Sequence, residues 1–255
     1  MGALYLGVDV GTSSVKLTCI DESGKVVATA SEAYECSEPH PGWREIEPGI
    51  WWDAVCSACA LLGEKVDLSL IKGVGATGQM HTTVLVDAAG VPTCPAIMWN
   101  DQRTIDTVFD EKQWALAVGL PQVASFLSTG VPAMNLAWMA KNNPAALSKS
   151  EVFLSVSDWI ALKFGGHPGM DYCGASTTGL FDNKKQTWID EVCEHFGVPR
   201  SLLPAVEPSD KVIGFVSERA SAETGIPADA SIVRGTGDNP CLLYTSPSPR
   251  DRTRS

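Results

Sequence analysis

The stretch that most constrains the fold is residues 4–16, where an apolar run meets an acid, a glycine and three consecutive hydroxyl side chains. Apolar alternation then resumes, and this order predicts a strand, a tight turn and a second strand. Gly11 allows the turn, because glycine tolerates backbone conformations that other residues avoid. Asp9 beside hydroxyls and free N–H groups suits a phosphate that carries Mg²⁺, although an ordinary hairpin with a polar tip fits equally well.

A third strand is predicted from Lys25 to Tyr34, after a turn at residues 21–24. Three consecutive antiparallel strands argue against a Rossmann unit, whose first strand is followed by a helix. The opening segment also contains neither the glycine-rich dinucleotide fingerprint nor the P-loop pattern. The sequence therefore predicts an α/β fold in which a hairpin turn, rather than a helix N-terminus, binds phosphate.

The rest of the chain alternates between strand and helix patterns. A helix is predicted from Pro48 to Gly63, a buried strand from Ile71 to Gly78 and another strand from Ala230 to Arg234. Five further helices are predicted in the middle of the chain, over residues 101–109, 121–127, 132–141, 157–164 and 188–196. We expect Ser157 to cap the fourth of these helices.

Short clusters with polar residues follow predicted strands. Gln79, Met80 and His81 follow the strand that ends at Gly78, and Asn100 and Asp101 follow a short apolar stretch from Ala96 to Trp99. Asp238 and Asn239 follow the strand predicted from Ala230. Ligands of α/β folds bind beyond strand ends, so these clusters predict a site.

Composition excludes several classes of protein. The net charge of −11 excludes a binder of the nucleic-acid backbone, which needs clustered Lys and Arg. No apolar run approaches a membrane span, and no secretory signal is visible. The eight cysteines then predict reduced thiols in a cytoplasmic protein. Cys56 and Cys59 form a lone C-x-x-C pair, which we interpret as structural, because a zinc site would need a second pair.

The last fifteen residues, 241–255, differ from everything before them. They are rich in Ser, Pro and Arg, and they carry three Arg and one Asp. Such a segment cannot bury apolar surface, so we expect it to be disordered. It resembles a translated cloning adapter, and we predict one native domain over residues 1–240.

Four motifs in order resemble the FGGY carbohydrate kinases, and among them the xylulose-phosphorylating members. They are residues 9–16, 78–81, 99–103 and 237–239. The resemblance implies a ribonuclease-H-like domain of the actin and hexokinase type, with a mixed sheet that opens with three antiparallel strands and helices on both faces. It covers only the N-terminal, sugar-binding domain, and the second domain, which supplies most of the nucleotide pocket, is missing. One departure is Asn135, where family members often carry a lysine.

The resemblance also implies roles for individual residues. Asp238 would be the catalytic base, and Asp9 would hold Mg²⁺ through water. The sugar contacts would be Gln79, Met80, His81, Asn100, Asp101 and Asn239, and the ATP phosphates would face Asp9, Gly11, Thr12 and Ser13. A helix-capping role explains Asp101 as well as a sugar contact does. Lys16 is expected to face solvent.

The implied reaction moves the ATP γ-phosphate to a ketopentose hydroxyl, with D-xylulose as the first candidate. Ribulose, a sedoheptulose-like ketose or a polyol are alternatives within the family. A catalytically incomplete sugar-binding module is a second hypothesis, because a missing domain leaves the cleft unable to close. An actin-like nucleotide-binding protein is a third, but it predicts neither Gln-Met-His nor Gly-Asp-Asn. The expected ligands are sugar, ATP and Mg²⁺, without nucleic acid or membrane, and a homodimer is expected.

Overall fold

The computed structural model describes residues 2–238. Its strands are β1 (Leu4–Val10), β2 (Ser14–Asp21), β3 (Val26–Ala33), β4 (Glu45–Ile46), β5 (Ile71–Gly78), β6 (Val84–Val86), β7 (Ala96–Ile97), β8 (Val152–Leu154), β9 (Met170–Asp171), β10 (Phe181–Asp182), β11 (Thr187–Trp188), β12 (Val206–Glu207), β13 (Val212–Phe215) and β14 (Ser231–Gly237). Its helices are α1 (Pro48–Gly63), α2 (Ile105–Ala117), α3 (Pro121–Phe126), α4 (Pro132–Asn142), α5 (Pro144–Lys149), α6 (Val156–Phe164), α7 (Tyr172–Ser176), α8 (Asp190–Phe196) and α9 (Glu218–Thr224).

A six-stranded sheet organises the fold, in the order β13-β14-β5-β1-β2-β3. The strands β1, β2 and β3 pair antiparallel, whereas β1, β5 and β14 run parallel to one another. The predicted α/β class and the mixed sheet that opens with three antiparallel strands are both confirmed. The parallel part of the sheet is the part that collects strand ends at one edge.

Alternating burial along the strands directs one face of this sheet into the main core. In β1, Leu6, Val8 and Val10 are buried, whereas Tyr5 is 41% exposed on the other face. Helices α1 and α6 cover the buried face, and α9 packs against both of them. Trp51 of α1 meets Trp159 of α6 with ring centroids 6.2 Å apart. This packing turns the even-numbered residues of β1 inward and leaves Asp9 on the opposite face.

A second core lies beside the first, among helices α2, α3, α4 and α8. The antiparallel pair β6 and β8 separates the two cores. Leu85 and Phe153 of this pair face the second core, whereas Val84, Val86 and Leu154 face the first. The two-residue period of a strand therefore joins both cores into one unit.

Strand β14 carries a bulge next to its end. Val233 pairs with Gly75 and Thr236 pairs with Thr77, so two residues of β14 lie opposite Ala76 alone. Gly235 takes up the extra residue with φ of +75°, and a Cβ at this position would lie 2.0 Å from the Ala76 carbonyl oxygen. Only glycine fits this backbone conformation and this close approach.

Several predicted boundaries were wrong, each for a local reason. Helix α6 begins after Ser155, not Ser157, because Ser155 forms a reciprocal capping box with Asp158. The helix predicted from residue 101 begins at Ile105, because Asp101 is engaged in an ion pair described below. The strand predicted to end at Arg234 continues through the bulge to Gly237.

Two other expectations concern the described residues. The seven cysteines within residues 2–238 are all free thiols, and none of them belongs to a cluster of three or more potential metal ligands. No helix in this part of the chain is long and apolar enough to cross a membrane. Asn239 and the predicted tail at 241–255 lie outside the described residues.

Candidate functional site

The carboxyl ends of three parallel strands meet at one edge of the sheet. Val10 of β1 pairs with Gly78 of β5, which in turn pairs with Gly237 of β14. The segments that follow these residues therefore start at the same level on adjacent strands, which lie about 4.8 Å apart. The opening turn, the Gln-Met-His segment and Asp238 are brought together at this edge, where ligands of α/β folds bind.

Hydrogen bonds on its buried side hold the turn between β1 and β2 in place. The Gly11 N–H donates to the Ser14 carbonyl oxygen at 3.0 Å. The Gly11 carbonyl accepts hydrogen bonds from the Tyr34 hydroxyl and from Gln79 Nε2, the latter at 3.3 Å. Gln79 is 3% exposed, so its side chain supports the turn from within the protein.

Trp99 is a site residue that the predictions from sequence did not include. Its indole Nε1 donates to Thr12 Oγ1 at 3.1 Å, and the side chain is 46% exposed. A large aromatic ring so exposed beside a polar turn suits the apolar face of a bound ligand. The signal was present in the sequence, because Trp99 directly precedes the polar cluster that begins at Asn100. Ser13, at the tip of the turn, is exposed.

Three charges interact around the end of β1. Asp9 is half-buried, and its burial raises the pKa of its carboxyl group, as does the nearby carboxylate of Asp238. Lys16 lies directly opposite Asp9 in the β1–β2 ladder, and its positive charge lowers the pKa of Asp9. Lys16 is exposed, as predicted, and it shares the sheet face of Asp9.

The Gln-Met-His segment turns sharply into the site. His81 has φ of +67°, which is unusual for a residue with a side chain and marks the sharp turn of the backbone here. Burial lowers the pKa of His81, while a backbone hydrogen bond to Thr177 and the charge of Asp238 raise it. His81 is therefore neutral near pH 7. Met80 is 8% exposed and packs against Gly237, next to Asp238.

Three of the predicted sugar contacts carry a buried polar atom without a hydrogen-bond partner among residues 2–238. These atoms are Gln79 Oε1, His81 Nδ1 and Asn100 Oδ1. The two amide oxygens are acceptors, whereas the imidazole Nδ1 donates or accepts according to its tautomer. A buried polar atom that stays unpaired costs about 1–3 kcal/mol, so each of these atoms is suited to a hydroxyl group, which can both donate and accept.

Asp101 is placed differently from the other predicted contacts. It is fully buried, and its carboxylate accepts from the Arg44 N–H at 2.6 Å and from Arg103 Nη2 at 2.8 Å. Arg103 also pairs with Glu45 at 2.7 Å. The other oxygen of Asp101, Oδ1, accepts from the Arg103 backbone N–H at 2.8 Å and from Arg103 Nε at 2.9 Å. Both oxygens are thus engaged inside the protein, which favours an indirect role over a direct sugar contact. The helix-capping alternative is wrong, because α2 begins after Thr104 and the Arg103 side chain is buried rather than on the surface.

Asn135 occupies the position where the resemblance led us to expect a lysine. It is fully buried in α4, and its Nδ2 donates to Thr83 Oγ1 and to the Gly130 carbonyl oxygen, both at 3.0 Å. A Cβ on Gly130 would lie 1.8 Å from the Trp99 carbonyl oxygen. Asn135 therefore holds the loop that packs against Trp99.

The donor set at this edge fits a hydrated divalent cation bound to phosphate. Burial and the nearby Asp238 carboxylate raise the pKa of Asp9, and a bound cation would favour its ionised form. No group of three potential metal-ligating side chains occurs within residues 2–238, so these residues alone do not form a complete metal cage. Mg²⁺ commonly binds in this way, through one or two carboxylates, water and substrate phosphates.

Comparison with known proteins gives a consistent set of relatives. Residues 4–243 match the model of the FGGY family of carbohydrate kinases, N-terminal domain. The chain is 31% identical to the xylulose kinase of Escherichia coli (strain K12) over 240 residues, which cover 92% of this chain and 48% of that relative. It is also 31% identical to the glycerol kinase of Thermococcus onnurineus (strain NA1) over 251 residues, 96% of this chain and 50% of that relative.

A solved structure described as a "xyloylose kinase" from Brucella ovis is similar to this fold, with a TM-score of 0.83 at 28% identity. The similarity covers 92% of this chain and 49% of that chain. The chain thus spans about half the length of these relatives, from 48% to 50%.

Proposed function

This chain belongs to the FGGY family of carbohydrate kinases, and we propose that it forms the sugar-binding half of an ATP-dependent ketopentose kinase that acts on D-xylulose. The observation that carries the proposal is the pairing of Val10 with Gly78 and of Gly78 with Gly237, which aligns the ends of three adjacent parallel strands. It gathers a phosphate-type turn, a neutral histidine and a carboxylate at one edge of the sheet.

In this function Asp238 accepts the proton of the attacking sugar hydroxyl, because it follows a glycine at the end of β14 and lies near His81. His81 and Asn100 bind sugar hydroxyls through their unpaired buried atoms. Met80 forms the apolar floor. Asp101 acts indirectly, through its buried ion pair with Arg103. Asn239 stays a predicted sugar contact.

The phosphate side consists of Asp9, Gly11, Thr12 and Ser13. Bound ATP with Mg²⁺ would supply the phosphoryl group and neutralise its charge, as phosphoryl transfer requires. Asp9 would hold the cation, and the turn would donate hydrogen bonds to phosphate oxygens. A cytoplasmic location and a homodimer also stay predictions.

The first test measures sugar binding by the 255-residue chain with isothermal titration calorimetry. D-xylulose should bind, and glycerol and D-xylose should bind more weakly. His81→Ala should weaken D-xylulose binding by about 10-fold, since it removes one buried hydrogen-bonding group. The exposed His40→Ala is the matched control and should leave binding unchanged. Equal affinity for all three ligands would contradict the ketopentose assignment.

A second candidate is a sugar-binding module without turnover, which is favoured by the 48% coverage of the relatives. Coupled release of ADP from ATP and D-xylulose by the 255-residue chain would refute this candidate. Turnover only in a chain extended through a second domain would support it. In the extended chain, Asp238→Asn should abolish turnover and spare sugar binding, and retained turnover would exclude Asp238 as the base.

A further inference from the structure

The phenol of Tyr34 reaches the opening turn from outside the predicted site. Tyr34 follows β3, and its hydroxyl donates to the Gly11 carbonyl. Its backbone N–H donates to the Ser13 carbonyl oxygen at 3.0 Å. One residue therefore binds two of the carbonyl groups in a three-residue turn. Neither the predicted sugar contacts nor the predicted phosphate contacts include it.

The peptide between Gly11 and Thr12 is planar and trans, so its C=O and N–H groups point in opposite directions. The C=O group is held inward by the Tyr34 hydroxyl and by Gln79 Nε2. The Thr12 N–H must then point outward, away from the buried Gln79 side chain. The bonds among residues 2–238 give this N–H no backbone acceptor.

The Thr12 hydroxyl is oriented in the same way. Its oxygen accepts from Trp99 Nε1 at 3.1 Å, which leaves its own hydrogen free to donate elsewhere. The turn thus presents one N–H and one O–H donor beside the carboxylate of Asp9. Paired donors next to a carboxylate that can hold a cation match the oxygens of a phosphoryl group bound to Mg²⁺.

We propose that Tyr34 is a positioning residue for phosphate: through the Gly11 carbonyl, its hydroxyl holds the Thr12 N–H toward the phosphoryl group of the nucleotide. The proposal rests on the proposed function for the identity of the ligand. Tyr34 itself touches neither sugar nor phosphate. Burial raises the pKa of the Tyr34 phenol well above its usual range, so the hydroxyl keeps its proton near neutral pH.

A purely structural role for Tyr34 is the alternative, because its ring also packs against the main core. Tyr34→Phe separates the two roles, since it keeps the ring and removes only the hydroxyl. Tyr5→Phe is the matched control, because Tyr5 lies 41% exposed on the open sheet face, where its ring covers Gly73.

The experiment uses the 255-residue chain labelled with ¹⁵N and titrates it with Mg²⁺-pyrophosphate. In the wild type the Thr12 amide resonance should shift, whereas that of Gly24, at the distant β2–β3 turn, should not. Tyr34→Phe should weaken pyrophosphate binding by about 5- to 10-fold, the effect of one net hydrogen bond. Its affinity for D-xylulose should match that of Tyr5→Phe, and its melting temperature should fall only by the few degrees that one lost hydrogen bond costs.

Two results would overturn the proposal: a Thr12 resonance that does not respond in the wild type, or equal pyrophosphate affinity in Tyr34→Phe and the wild type. The first needs no variant, so it decides the matter even where Tyr34→Phe is unstable. Failure of the proposed function has a different signature, because the wild type would then bind pyrophosphate at Thr12 and not bind D-xylulose.

Discussion

Met80 and Gly237 are in such close contact that a Cβ on Gly237 would lie 2.5 Å from Met80 Cγ. Met80 forms the floor of the proposed sugar site, and Gly237 immediately precedes Asp238. The absence of a side chain at residue 237 therefore lets the floor and the carboxylate approach each other. Any larger residue must displace one of them, because such a contact is shorter than van der Waals packing allows.

Gly237→Ala should weaken D-xylulose binding by about 10-fold or more, because a shift of Met80 misplaces the sugar. Isothermal titration calorimetry of the 255-residue chain measures the effect. Gly49→Ala is the matched control, since a Cβ at residue 49 meets no atom within 4 Å. Unchanged sugar affinity in Gly237→Ala would show that Met80 does not form the floor.

Gly11→Ala should separate folding from phosphate binding. Gly11 does not have positive φ, and a Cβ there would make only an ordinary contact of 3.4 Å with the Ser14 carbonyl oxygen. The fold therefore does not require this glycine, whereas close approach of a phosphate would. The melting temperature should stay near that of the wild type, and binding of Mg²⁺-pyrophosphate should fall.

Gly235→Ala should have the opposite effect to Gly11→Ala on the melting temperature. Its φ of +75° alone costs an alanine about 1–2 kcal/mol, and the clash with Ala76 adds to this. A clear drop in melting temperature is expected for Gly235→Ala only. An equal drop in melting temperature for Gly11→Ala and Gly235→Ala would contradict the view that the fold requires Gly235 but not Gly11.

Arg103→Lys should destabilise the protein strongly. The guanidinium of Arg103 pairs with Asp101 and Glu45 and lies over the ring of Trp43, 4.1 Å from its centroid. A lysine keeps the positive charge but cannot reproduce the forked hydrogen bonds of the guanidinium, and Asp101 is fully buried. We expect a loss of about 1–3 kcal/mol, the cost of leaving buried acceptors without their donors.

Chemical unfolding in urea measures this loss. Arg200→Lys, at an exposed pair with Asp190, is the control and should cost about 0–1 kcal/mol. A similar small cost for both variants would mean that the Arg103 cluster is not a stabilising one.

Asp158→Asn should change how stability depends on pH. Burial raises the pKa of the Asp158 carboxyl from 3.8 to about 7. Between these values the folded protein binds more protons than the unfolded chain, so this group adds stability as the pH falls from about 7 toward 3.8. Asparagine removes that contribution and keeps the size of the side chain.

Urea unfolding at about pH 5 and about pH 8 tests this, with an expected gain on acidification that is about 2–3 kcal/mol larger in the wild type than in the variant. His81 acts in the opposite direction, because its lowered pKa makes stability fall below pH 6.5. It is present in both proteins, so its effect cancels. Identical pH dependence in both would refute the raised pKa of Asp158.

Local patterns in the sequence were enough to predict most of the central sheet. Strand β5 lies where its apolar pattern predicted it, and helix α1 begins at Pro48 as predicted. In both cases the signal lies within the element itself and needs no distant partner. The short elements α5 and β8 were missed, since three to six residues carry too little periodicity to be recognised.

The site could be predicted only in part. Strand ends indicated Gln79, His81 and Asp238, because ends of parallel strands meet at one edge. The engagement of Asp101 could not be predicted, because Arg103 acquires its second partner, Glu45, from 58 residues earlier in the chain. The same holds for Tyr34, whose partner Gly11 is 23 residues away.

The single extra residue at the β14 bulge has a consequence for which side of the sheet performs chemistry. Residues of a strand alternate between faces, so one added residue exchanges the faces of all those that follow. Thr236 shares the face of Thr77 and Asp9 because the bulge precedes it. Deleting Gly235 would remove the bulge, so that each residue of β14 pairs with one residue of β5. Asp238 would then turn to the sheet face that α6 covers, where it could not meet Asp9. The side of the sheet on which Asp238 lies therefore depends on the one extra residue between Val233 and Thr236.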